Sequence, residues 1–264
     1  MKLRYIYIQG SDRMEAIKGA KYVSHFNYHV YFIGYCLTKK VRQLKFETDD
    51  TFEMLVINIG SEDTQVEIIK VPYPILAVHL PFDSERYEKG DKIQRCEYYM
   101  ELIRSGLKKA AEVKQIPYNE IMAFADELAD NGYVYEWDLR SIIIKEYGLR
   151  VKFVCRLDTD AFTMNAIVFV KRNPEPICCG QVVRAMPDFI HFDCLSKKIS
   201  IENNKIVLHD KISNNDLLYI DIESLLDRHI KVEFATSPYP DDQAYSEYHY
   251  SLQSSLTYDN YEFK

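Results

Sequence analysis

Apolar and polar positions alternate from Leu3 to Ile8, a period that predicts a strand ended by Gly10. Ser11 or Asp12 then caps a short helix running to about Lys21. The next stretches, Tyr28 to Leu37 and Thr51 to Ile59, are rich in aromatic and β-branched residues and read as strands. A charged segment, Lys39 to Asp50, separates them. Glu67 to Val71 and Ile75 to Leu80 add two strands, parted by Pro72 and Pro74, which cannot donate to a ladder.

The period changes after Pro81. Ile93, Cys96, Met100, Ile103, Leu107 and Ala110 recur at alternating spacings of three and four, which puts them on one helical face. Asp91 with Gln94 resembles a capping box at the start of this helix. A second helix starts at Pro117, carries Ile121, Phe124, Ala125 and Leu128 on its apolar face, and stops at Asn131-Gly132.

From Tyr133 the period returns to two. Leu149, Val151, Phe153, Cys155 and Leu157 alternate with polar residues, Asp158-Thr159-Asp160 turns the chain, and Phe162 to Val170 returns as a hairpin partner. Ile177 to Arg184, Ile199 to Ile201, Ile206 to His209 and Lys231 to Ala235 continue the series, with a tight turn at Asn203-Asn204. Leu217 to Arg228 holds a strand and a short helix.

This order predicts an α+β fold, with antiparallel or mixed β-rich segments flanking a central pair of helices. One domain is expected over 1–264: β-rich at 1–82, helical at 85–132, β-rich again at 133–236, and a tail at 237–264. The tail is expected to be mobile or laid extended on the body. It holds five acidic residues against Lys264 alone, and six tyrosines, at 239, 245, 248, 250, 258 and 261.

Composition narrows the class. Hydrophobic residues make up 47% and charged residues 28%, as in a folded globular chain. No stretch reaches the ~18 apolar residues of a membrane span, and the N-terminus lacks the apolar core of a signal peptide. The expected compartment is therefore the cytoplasm, with no membrane contact. The six cysteines show no C-x-x-C pair or zinc spacing, so buried free thiols are expected, and vicinal Cys178-Cys179 would point to opposite faces of a strand. A formal charge of −7 argues against direct nucleic-acid binding through phosphates and suits a basic partner. Twenty-one tyrosines against one tryptophan supply strand-forming residues and, at a surface, good interface residues.

Motifs for common chemistry are missing. Nine glycines form no phosphate-binding loop, and no nucleophile elbow is present. No cofactor is expected. His25 and His29 stand four apart in a run that reads as strand, and are taken as two ordinary histidines. His191 and Asp193 share a strand-like spacing. The strongest surface feature is the pairing of acids and tyrosines in the tail, with Tyr239, Asp241, Asp242, Tyr245, Glu247, Tyr248 and Tyr250 as candidate partner-binding residues.

The strand Ile75 to Leu80, the Pro81-Phe82-Asp83 break, the helix with Arg95-Cys96-Glu97-Tyr98-Tyr99 and Leu102-Ile103, and the run Arg184-Ala185-Met186-Pro187-Asp188 give a further lead. In character the chain resembles bacterial immunity proteins that neutralise polymorphic or contact-dependent toxins. That resemblance implies a small cytoplasmic, acidic α+β protein without catalytic motifs, whose partner is a basic toxin domain. The expected function is a non-catalytic binding protein that masks a basic surface of its partner. Two alternatives stand beside it. One is a metal-dependent enzyme assembled from dispersed residues such as Asp188, His191, Asp193 and His209, and the other is a structural or assembly component.

Overall fold

The computed structural model describes residues 1–70, 72–196, 198–239 and 241–257. The architecture is α+β, and the expected domain over 1–264 divides into two compact units, Met1–Tyr135 and Glu136–Lys264. The boundary falls beside the expected change of period after Gly132.

The first unit contains β1 (Tyr5–Gly10), α1 (Asp12–Lys18), α2 (Ala20–Leu44), β2 (Met54–Ile59), β3 (Gln65–Ile69), β4 (Ile75–Leu80), α3 (Ser84–Lys89), α4 (Lys92–Val113) and α5 (Tyr118–Asp130). Its sheet has the order β1-β2-β4-β3, with β1, β2 and β4 parallel and β3 antiparallel to β4. Val71, expected at the end of β3, lies outside the described residues.

The register aligns Ile6, Leu55 and Leu76, then Ile8, Ile57 and Val78, on one buried face. Helix α4 packs so closely there that a Cβ on Gly106 would sit 2.6–3.0 Å from the side chain of Ile57. The capping box of Asp91 and Gln94 is formed.

The stretch Tyr28 to Leu37, expected as a strand, is the middle of α2. Its core residues Val23, Phe26, Val30, Ile33, Leu37 and Val41 follow the helical period, and tertiary burial overrides the β preference of the aromatic and branched side chains. Gly19, at φ 90°, separates α1 from α2 and ends the first helix short of Lys21.

Helix α2 also covers the outer edge of β1. Thr38 Oγ1 accepts from Ile6 N at 3.0 Å and donates to Ile6 O at 2.9 Å. Asn27 Oδ1 accepts from Gly10 N at 2.7 Å, and Arg42 Nε donates to Arg4 O at 3.1 Å. These bonds occupy backbone groups that would otherwise be open to strand addition.

The second unit contains β6 (Leu149–Leu157), β7 (Phe162–Val170), β8 (Pro176–Ala185) and, beginning at the boundary, β5 (Tyr135–Ile144). They form a sheet in sequence order, and the expected hairpin pairs Leu149 with Val170 through Leu157 with Phe162. Asp158 accepts from the backbone of Asp160 and Ala161, so its carboxylate builds the turn.

A short helix α6 (Phe189–Phe192) and a 3₁₀ turn (Asp193–Ser196) lead to a second antiparallel sheet. It consists of β9 (Lys198–Glu202), β10 (Lys205–His209), β11 (Asp216–Asp221) and β12 (Val232–Phe234), with α7 (Ile222–Leu226) before β12. Asn203 and Asn204 both have positive φ, as a two-residue hairpin turn requires.

The tail is neither extended nor loose between Gln243 and Leu256, where it forms helix α8. Among the described residues no helix is long and apolar enough to cross a membrane.

Candidate docking surface on the last helix

The approach to α8 is tightly folded. Tyr239 O accepts from Asp242 N at 3.1 Å and from Ser246 Oγ at 3.1 Å, while the Asp242 carboxylate caps the helix by accepting from Tyr245 N at 3.0 Å. Pro238, Tyr239, Asp241, Asp242, Gln243 and Ala244 line a shallow depression at this corner.

One side of α8 is anchored. The Tyr245 hydroxyl accepts from the Asn215 amide, and the Tyr248 hydroxyl donates to Asp210 at 3.3 Å. Buried His249 donates through Nε2 to Ala235 O at 2.7 Å, and the Gln253 amide reaches the same carbonyl at 2.7 Å. Arg184 and Thr257 form a bridge beyond the helix end, and α8 also packs on α6.

Asp210 is the centre of this anchor. Its buried carboxylate accepts from Ile212 N, Ser213 N, Ser213 Oγ and Tyr248. Burial pulls its pKa up, but these donors outweigh it and hold the carboxyl below its ordinary value. Burial and the neighbouring Asp210 carboxylate in turn push Tyr248 up to about 12.

The other side faces solvent. Asp241, Asp242, Glu247, Tyr239 and Tyr250 are exposed, Tyr250 to 73%. The two elements that support α8 add apolar side chains, Ile190 of α6 at 69% exposure and Ile212 of the Asp210–Asn215 loop at 78%. The seven expected partner-binding residues thus separate into two groups: Tyr245 and Tyr248 anchor the helix, and the other five are presented. Tyr258, Asp259, Tyr261 and Glu262 of the expected tail lie outside the described residues, as does Pro240. Ile190, Ile212 and Asp210 were not anticipated; the only signal was an isoleucine standing in the polar run Asp210-Lys211-Ile212-Ser213-Asn214-Asn215.

The residues of the metal-enzyme alternative are differently employed. Asp188 caps α6 through Ile190 N at 3.2 Å, and burial raises its pKa. His191 and Asp193 lie on helical turns, not on a strand, and Asp193 pairs with Lys211. His209 sits on β10 between Asp216 and Ser200. Among the described residues no group of three or more His, Cys, Asp and Glu side chains could hold a metal ion.

His25 and His29 belong to α2, so a separation of four brings their Nε2 atoms within 3.2 Å, with Tyr87 Oη 3.1 Å from His25 Nδ1. Burial and the nearby Arg95 hold His25 below its ordinary pKa, which favours its neutral, hydrogen-bonded form. Cys178 is partly buried and Cys179 exposed on β8, as alternation requires.

No family model, no curated protein and no solved structure matches the chain.

Proposed function

We propose that this chain acts by binding a basic protein partner through the outer face of α8 and the corner before it. Its most specific form is a toxin-immunity role in which the acidic face covers a cationic cleft. One observation carries the reading: tyrosine, histidine and aspartate side chains fix α8 from beneath, while Asp241, Asp242, Glu247, Tyr239 and Tyr250 stand in solvent. An ordered surface loses less freedom on binding than a loose tail. Carboxylates steer a cationic partner into contact, and exposed aromatic and isoleucine side chains supply the apolar area on which affinity concentrates.

The test is a titration of the full chain against a basic toxin-like domain encoded by an adjacent reading frame. The triple variant Asp241→Asn, Asp242→Asn, Glu247→Gln is expected to bind about tenfold more weakly and with a shallower salt dependence. Equal affinity and equal salt dependence in variant and parent would remove this surface from consideration.

A further inference from the structure

The polar face of the second sheet in residues 136–264 carries a connected set of side chains that the docking surface does not use. Glu233 of β12 pairs with Lys205 of β10 at 3.3 Å, and the Lys205 ammonium lies 5.0 Å from the ring centre of Tyr219 on β11. Tyr219 donates to Asp216 Oδ2 at 3.0 Å, and Asp216 Oδ1 lies 3.2 Å from His209 Nδ1. Ser200 Oγ on β9 donates to Glu202 Oε1 at 2.6 Å and lies 2.7 Å from His209 Nε2, which is itself 3.7 Å from Glu202 Oε1.

Three of these groups stand in the order hydroxyl, imidazole, carboxylate on three adjacent strands. The imidazole is 5% exposed, so its contacts act in a poorly hydrated setting, whereas Ser200 is half-buried. His209 Nδ1 lies within ion-pair range of Asp216 but is not aligned for a hydrogen bond. Such contacts often tighten only with substrate bound. In the two-residue hairpin Glu202 and Lys205 form the hydrogen-bonded pair next to the turn, so Ser200 also bonds inward to Val207. The intervening Ile201 N–H therefore points out from β9, the edge strand, beside the serine.

We propose that Ser200 is an activated nucleophile toward small acyl esters, with His209 as its base, Asp216 as the positioning residue for the imidazole, and Ile201 N–H as a donor to the developing oxyanion. In the first step Ser200 Oγ bonds to the acyl carbon while its proton passes to His209 Nε2. The tetrahedral adduct then expels the alcohol, which takes that proton. Water attacks the acyl-serine with His209 again as base, releasing the acid and restoring Ser200. Glu202 competes for the serine proton and slows the first step.

The full chain is treated with a fluorophosphonate at about pH 8. Oγ displaces fluoride, and intact mass with peptide mapping reads the adduct. One adduct per chain at Ser200 is expected, with none in Ser200→Ala. Asp216→Asn is expected to slow labelling by more than about tenfold and to shift its pH profile, with thermal stability recorded alongside. Glu202 is exposed, so Glu202→Gln leaves packing intact; it is expected to speed labelling several-fold. An unlabelled parent, equal labelling of Ser200→Ala, or an unchanged or slower rate in Glu202→Gln overturns the proposal.

Discussion

Two tyrosine-rich regions of the molecule use the same side chain in opposite ways. Among α2, α3 and α4, Tyr22, Tyr87, Tyr98 and Tyr99 pack with Phe26 and Phe82 into one aromatic cluster, with Phe26 and Tyr99 centroids 5.7 Å apart and Phe82 and Tyr87 5.5 Å apart. Tyr99 is fully buried, and its hydroxyl lies beside that of Tyr87 without an aligned hydrogen bond. On α8 the Tyr245 and Tyr248 rings touch one another and their hydroxyls bond to Asn215 and Asp210, while Tyr250 contributes to no core. The first region buries apolar area; the second uses the polar tip to fix a helix whose other face stays available. A high tyrosine count is thus no guide to an interface until each ring is placed against the core.

The sharpest way to break this contrast is at Tyr99. Tyr99→Ala is expected to cost about 3–5 kcal/mol, since a large aromatic volume is lost from a site with no solvent access. Tyr99→Phe is expected to leave stability unchanged or raise it by up to about 1 kcal/mol, because a buried hydroxyl without an aligned partner is removed. Urea unfolding measures both. A loss of several kcal/mol in Tyr99→Phe would show that the hydroxyl, not the ring, is what this cluster needs.

The anchor of α8 is expected to fail next. Asp210→Ala removes an acceptor that serves four donors and is expected to cost about 2–3 kcal/mol. It also carries a pH signature. The folded-state pKa of Asp210 is held below its ordinary value, so its stabilising share is complete above the unfolded pKa of about 4 and is lost as pH falls through the folded value. Thermal melts between neutral and acid pH are expected to decline less steeply for Asp210→Ala than for the parent. Parallel declines would mean that Asp210 is not the titrating group.

These two regions were legible in the sequence to different degrees. Helix α4 was readable because its apolar positions repeat over many turns and Asp91 with Gln94 marks its start. The hairpin of β6 and β7 was readable because one face is apolar and the other charged or polar along much of its paired length. Helix α2 was not, because the window from Tyr28 to Leu37 is apolar nearly all round and its composition favours strand. Only the longer series from Val23 to Val41 shows the helical period. Helix α8 was missed because few of its residues are aliphatic and its inward face is made largely of tyrosines and a histidine, which read as polar surface. The segment does stand out as acidic and aromatic, but which rings turn inward depends on Asp210, Asn215 and Ala235. Those lie outside the helix in sequence, so no local pattern could report them.

The smallest expected effects separate the two sides of α8. Tyr248→Phe keeps the ring and loses one hydroxyl bond to Asp210, so a cost of about 1 kcal/mol is expected. Tyr250→Ala lies on the exposed side, and a change within about 0.5 kcal/mol is expected. Affinity for a basic partner should rank the other way, with Tyr250→Ala weakening it directly and Tyr248→Phe acting only through the fit of the helix. Chemical denaturation and titration of the same two proteins measure both rankings. If Tyr250→Ala destabilised the fold more than Tyr248→Phe, the inner and outer faces of α8 would have to be exchanged, and the docking surface with them.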